Sequence, residues 1–300
     1  MTAPLSLGPV FFNWPAAELR DFYFRVADEA AVDSVHLGEV VCAKRAPFFA
    51  PHLADAVERL RAAGKEVVLS TAALPADERE VAAARELAAD GDLLVEANDL
   101  GIAGLLAGRA HVIGPFVNVY NEGTLAFLAA RGAVRVCLPP ELPAASLAAL
   151  AGRPGPELEV IAFGRLPLAI SARCFHARAR GLHKDGCRFV CGDDPDGLTV
   201  RSLDDEPFLA VNGTQTLSFT CCNLAGELGA LREMGVGRFR LSPQRTDMVA
   251  VAAVFRDILD GRLEAGAATA RLRLLFPHAP FANGFFHGVE GRRWREDAAD

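Results

Sequence analysis

The sequence has no surplus of positive charge. Lys and Arg number 31 against 38 Asp and Glu, a formal net charge of -7, with a pI near 5.6. Such a chain repels a phosphate backbone at long range, so no stable nucleic-acid complex is expected outside a local basic patch. Long apolar runs are missing as well. Uncharged apolar stretches such as Met248 to Phe255 fall far short of the ~18 residues that span a bilayer, so no transmembrane segment is expected. The opening Met-Thr-Ala-Pro-Leu-Ser-Leu-Gly carries neither a basic segment nor an apolar signal core, which predicts a cytoplasmic chain. Low-complexity linkers, heptad runs and C-x2-C knuckles are also lacking.

What is present is a large apolar fraction, 51% of 300 residues, enough for a sizeable core and against a mainly disordered chain. Short β-rich runs alternate with helical patterns. Strands are predicted at Ser6–Asn13, Val32–Glu39, Lys65–Thr71, Asp92–Asn98, His111–Asn118 and Ala133–Leu138, with helices at Pro15–Ala30, Pro47–Gly64, Ala76–Ala89, Gly101–Leu106 and Gly123–Arg131. Each βα unit spans about 25–30 residues, the rhythm of parallel strands with crossover helices. A long strand at Glu159–Ile170, one extended segment at Phe208–Phe219, a helix at Leu224–Met234, a last strand at Arg238–Ser242 and a helix from Thr246 complete the pattern. The expected fold is α/β, a TIM-barrel-like (β/α) barrel forming one domain over 1–300, with a Cys/Arg-rich insertion at about 171–220. Chemistry in such barrels sits at the C-terminal strand ends, here Glu39, Cys42, Ser70, Glu96, Asn98, Asn118, Asn121, Pro139 and Glu141; helix capping is the competing role for each. The acidic end, Glu296, Asp297 and Asp300, reads as a frayed tail.

Seven cysteines are an odd count, and in a reducing compartment they make poor structural disulfides. Three of them, Cys174, Cys187 and Cys191, form a C-x12-C-x3-C set, with Cys42 at the end of the second strand. Strand ends meeting on one face could bring the four thiols together. Tetrahedral zinc, an iron-sulfur cluster and unliganded thiols all remain open, although the spacing is looser than zinc knuckles use. Arg173, Arg178, Arg180, Lys184 and Arg188 surround the three late cysteines. Cations there would ease burial of an anionic cluster and raise its potential; a solvated face or an anionic ligand would use them equally. Cys137, Cys221 and Cys222 read as core packing, and His176 and His183 as solvent-exposed.

From Glu159 to Cys174 the run Glu-Val-Ile-Ala-Phe-Gly-Arg-Leu-Pro-Leu-Ala-Ile-Ser-Ala-Arg-Cys resembles the signature of the collagenase-like (U32) peptidase superfamily. The continuation through Cys191, the Asn-Gly-Thr-Gln-Thr-Leu-Ser at 212–218, and Asn283-Gly-Phe-Phe-His-Gly288 narrow the resemblance to the UbiV branch, used for oxygen-independent ubiquinone biosynthesis. That resemblance implies a 4Fe-4S cluster on Cys42, Cys174, Cys187 and Cys191. It further implies a heterodimer with a UbiU-like sister subunit, a UbiT-like lipid-binding accessory protein, a quinone precursor as substrate and prephenate as oxygen donor. RNA hydroxylation, known among relatives, and a cluster-stabilised scaffold are the competing functions. The chain departs from the peptidase signature, with Pro167 in place of a Cys and Ala172 in place of a Gly, so a cysteine-protease reading loses its thiol.

Overall fold

The computed structural model describes residues 3–89 and 91–296; Asp297 and Asp300 of the expected tail lie outside the described residues. In chain order the strands are β1 (Leu5–Leu7), β2 (Ser34–Leu37), β3 (Glu66–Ser70), β4 (Leu94–Ala97), β5 (His111–Ile113), β6 (Ala133–Cys137), β7 (Glu157–Ile170), β8 (Leu198–Arg201), β9 (Pro207–Asn212), β10 (Gln215–Asn223), β11 (Arg238–Leu241) and β12 (Phe281–Ala282). The helices are α1 (Ala16–Glu29), α2 (Ala46–Ala62), α3 (Glu78–Ala89), α4 (Leu100–Leu105), α5 (Glu122–Ala129), α6 (Ala144–Ala151), α7 (Phe175–Ala179), α8 (Leu228–Met234), α9 (Met248–Leu259) and α10 (Ala265–Leu275). Strands β1 to β7 pair in sequence, all parallel, and β11 pairs in parallel with both β7 and β1. The ladder therefore closes, giving an eight-stranded TIM-barrel-like α/β fold.

Alternation along the strands explains the layers. Leu5, Leu7, Val35, Leu37, Leu69 and Val95 join one apolar cluster with Tyr23, Val26, Leu60 and Ile102 of the surrounding helices. The intervening residues face the barrel axis, and there the chain is charged. Arg240 on β11 lies 2.6 Å from Glu96 on β4 and 2.5 Å from Glu159 on β7. β7 is a neighbour of β11, but β4 lies across the barrel from it, so the Arg240–Glu96 contact can only run through the lumen. His36 and Ser70 complete the set around Glu96, and a second tier joins Arg135 and Arg238 through Glu157.

Several strands are shorter than the periodicity predicts, since apolar loop residues extend the pattern past the last ladder bond. Ser6–Asn13 reduces to β1, and His111–Asn118 to β5 followed by a short turn at Pro115–Val117. The segment Phe208–Phe219 is a hairpin rather than one strand: Gly213, at φ +72°, turns β9 back on β10, with Asn212 opposite Gln215. α6, an Ala/Leu run after Pro143 with little polar contrast, was not anticipated. The helix expected from Thr246 is two, α9 and α10.

The insertion grows out of β7. At Gly164, φ is +113°, and a Cβ would meet Ser242 at 2.7 Å, so the strand can bend off the barrel only at a residue without one. Beyond the bend β7 pairs antiparallel with β10, which carries β9 and β8. The hairpin folds back over the barrel mouth: Thr214 Oγ1 donates to the Val41 carbonyl at 2.7 Å and Gln215 Nε2 to that of Phe11 at 2.7 Å. Near the C-terminus, Asn283 Nδ2 donates to Glu227 at 2.6 Å and its Oδ1 accepts from the Arg295 amide at 2.7 Å, so that motif anchors the chain end. Among the described residues, no helix is long and apolar enough to cross a membrane.

Candidate cofactor site at the barrel mouth

Cys42 lies in the loop after β2, where Glu39 Oε1 accepts from the Val41 and Cys42 amides at 2.9 Å each and fixes the turn. Cys174 caps α7, its sulfur accepting from the Ala177 amide at 3.4 Å. Cys187 and Cys191 sit on successive turns of one irregular loop, the Val190 amide donating to the Cys187 carbonyl at 3.2 Å. Between them Arg188 and Phe189 take left-handed backbone, φ 50° and 53°. Non-glycine residues hold that conformation only when their surroundings impose it. Here the Phe189 ring packs edge-on against Phe48, centroids 4.7 Å apart, and its carbonyl accepts from Asn13 Nδ2 at 3.5 Å.

The fold brings Cys42, Cys174 and Cys191 into one electrostatic neighbourhood. Burial pushes the Cys191 thiol up; Arg45 and a 3.3 Å bond from Asn13 Nδ2 to its sulfur pull it down, and the sulfurs of Cys174 and Cys42 push it up again. Cys42 is likewise raised by burial and opposed by Arg45 and Lys184. All seven cysteines are unpaired. Among the described residues no three His, Cys, Asp or Glu side chains are placed to hold a single metal ion. The donor set suits the larger iron-sulfur group in kind: soft sulfur ligands, an N–H donor on one sulfur and a guanidinium alongside. Cys42, Cys174, Cys187 and Cys191 are the residues that would hold it.

Three organising residues escaped the sequence reading. Asn212, fully buried, accepts at Oδ1 from the Asn13 amide and Arg45 Nη1, both at 3.1 Å, and donates from Nδ2 to the carbonyls of Cys191 and Asp194, both at 2.9 Å. One side chain thus ties the loops after β1 and β2 to the cysteine loop. Arg45, 4% exposed, faces Glu39 at 3.5 Å and leaves Nε and Nη2 without a hydrogen bond. The signal for Arg45 lay in Cys-Ala-Lys-Arg at 42–45 and that for Asn212 in the Asn-Gly step at 212–213, whereas nothing local marks Asn13.

Other expectations are corrected. His176 is buried, not exposed, because its two ring nitrogens reach Val211 O at 3.1 Å and Asp194 Oδ2 at 2.9 Å; His183 is exposed. Arg180 serves Asp194 at 2.8 Å instead of the cysteines, and Arg173, Arg178 and Arg188 are exposed. Of the strand-end candidates, Glu39 and Cys42 belong here. Ser70 and Glu96 face the lumen and Asn98 bonds Glu96 at 3.3 Å, Asn121 caps α5, Asn118 takes left-handed backbone at φ 60°, and Glu141 accepts from the Tyr120 hydroxyl. Cys137, Cys221 and Cys222 are buried, as expected of core residues.

Comparison with solved structures finds a chain of the tryptophan synthase complex from Pyrococcus furiosus, 11% identical, with a TM-score of 0.43 over 91% of this chain and 98% of that one. The family profile described as peptidase family U32 matches residues 23–296, nearly the whole barrel and its insertion. A match of that extent makes the chain a member of the U32 family.

Proposed function

We propose that the chain is the iron-sulfur subunit of an oxygen-independent hydroxylation system in ubiquinone biosynthesis, paired with a UbiU-like sister subunit. The observation that carries this reading is the C-x12-C-x3-C set with its remote Cys42, three of whose sulfurs share one electrostatic neighbourhood. A cluster bound there would supply one-electron transfer. The chain's own residues have separate tasks. Glu39 orients the Cys42 loop, Asn13 donates to the Cys191 sulfur, and Arg45 and Lys184 offset the charge that thiol deprotonation creates. A UbiT-like protein would deliver the quinone precursor, with prephenate as oxygen donor. A cysteine nucleophile for peptide hydrolysis finds no support in the remaining thiols. Cys137, Cys221 and Cys222 are buried, and burial pushes Cys221 up to about 12, far from a reactive thiolate.

Anaerobic co-expression with the sister subunit, followed by iron and sulfide analysis of each chain, tests this. This chain is expected to carry four irons and a broad thiolate-to-iron absorption, both lost in Cys187→Ala. An iron-free chain that still supports hydroxylation ends the proposal.

A further inference from the structure

Beside the cysteines lies a cavity of about 230 Å³, between the first turns of α1, α2 and α3 and the loops after β1 to β3. Phe12, Trp14, Leu19, Phe48, Leu53 and Leu87 supply much of its wall. Its polar wall groups are turned to the protein. Glu39 accepts two backbone amides, Ser70 Oγ donates to Glu96 at 2.6 Å, Thr71 Oγ1 to the Glu96 carbonyl at 3.0 Å, and Glu80 accepts from the Ala76 amide at 2.6 Å. The Arg45 guanidinium is directed at Asn212 and the Gly213 turn. Arg45 Nε and Nη2 make no hydrogen bond, but Nε faces the Glu39 carboxylate at 3.5 Å and Nη2 lies against the Gly213 turn, so the cation in this wall is already balanced. A charged ligand would be desolvated without an unbalanced countercharge to meet it, whereas an apolar one loses nothing on entry. An apolar cavity of about 150 Å³ accommodates a benzene ring, so the space here suits one ring with small substituents.

The cavity also touches the cysteine loop. Asn13 and Arg45 belong to both, and Phe48 in the wall carries the edge-on contact with Phe189. We propose that this cavity binds a compact, uncharged aromatic molecule and holds it beside the loops that carry Cys42 and Cys191. The binding stands on the cavity alone; only its coupling to the cysteine site rests on the iron-sulfur reading.

Titration calorimetry of the full chain with toluene, benzoate and benzylammonium, which share a ring and differ in charge, tests the inference. Toluene is expected to bind one to one, with each charged analogue at least tenfold weaker. Ala50→Phe and Ala83→Phe place a ring at the mouth from exposed helix positions that line the cavity; each is expected to weaken toluene at least tenfold with far-UV dichroism unchanged. Absence of toluene binding, tighter binding of benzoate, or wild-type binding by both well-folded variants overturns the proposal. In an iron-loaded chain, toluene should shift the visible dichroism, and Phe48→Ala should remove that shift. A chain that never holds iron but binds toluene refutes the cluster and leaves the cavity site standing; an iron-loaded chain that ignores toluene does the reverse.

Discussion

Asn212 is the residue on which the candidate site turns, because a single buried amide satisfies four groups from three separate stretches of chain. Replacing it by Ala removes the partner of the part-buried Asn13 amide and Asp194 carbonyl and of the buried Cys191 carbonyl, and leaves Arg45 Nη1 only its 3.5 Å contact with the Phe11 carbonyl. Each such group costs about 1–3 kcal/mol when left unpaired and out of reach of water. Asn212→Ala is thus expected to lower stability by at least about 2 kcal/mol, and to speed amide exchange through 187–195 more than in the barrel strands. Urea melts and hydrogen exchange read both; uniform exchange across the chain would deny Asn212 its organising role. The cysteines were legible in the sequence because three thiols within eighteen residues, near five cations, are compositionally unusual. Asn13 and Arg45 were not. Their contacts with Asn212 span 199 and 167 residues, and nothing near either side chain announces a partner so far away.

Among the elements, β7 decides the architecture. Its first half is a barrel strand and its second half the root of the insertion, and Gly164 marks the change. Gly164→Ala forces a Cβ into a left-handed backbone and against Ser242, which is expected to cost about 1–3 kcal/mol. Gly104→Ala, within α4 and with open space around it, serves as control and should be neutral or stabilising by up to ~1 kcal/mol. Chemical denaturation of the two variants side by side checks the contrast; equal effects would show that β7 has another way to bend. The barrel rhythm was readable because each helix and strand carries its own period. The hairpin of β9 and β10 was missed because strand-forming residues, apolar before Gly213 and Thr-rich after it, run on both sides of the turn. The turn had to be read from one Asn-Gly step.

The molecule as a whole is closed around buried charge. Burial alone would raise Glu96, but Arg240, His36 and Ser70 outweigh it and hold the carboxyl well below its ordinary range; Glu159 is lowered in the same way by Arg240 and His36. Both carboxyls take up protons more readily when the chain is unfolded, at a pKa of about 4.3. Their stabilisation is therefore complete above that value and lost as pH falls below it. Thermal midpoints should be level from neutrality to about pH 5 and fall steeply beneath about pH 4.3. Glu96→Gln leaves Arg240 short of one partner, lowering stability at pH 7 by about 3–5 kcal/mol, and flattens the acid limb. An acid limb parallel to that of the wild-type chain would assign the acid sensitivity elsewhere.

The charges that build this lumen stand in the sequence as Glu157-x-Glu159 and Arg238-x-Arg240, spaced by two as one strand face requires, but that spacing alone does not assign them to a lumen. The sequence by itself determined the alternation of strand and helix, the family, and the four thiols, because periodicity and unusual local composition are properties of neighbouring residues. Which charges meet across the lumen, where β7 leaves the wall, and how an asparagine near position 212 reaches loops at 13 and 45 were decided only when the sheet closed. Closure makes neighbours of residues that share no local signal.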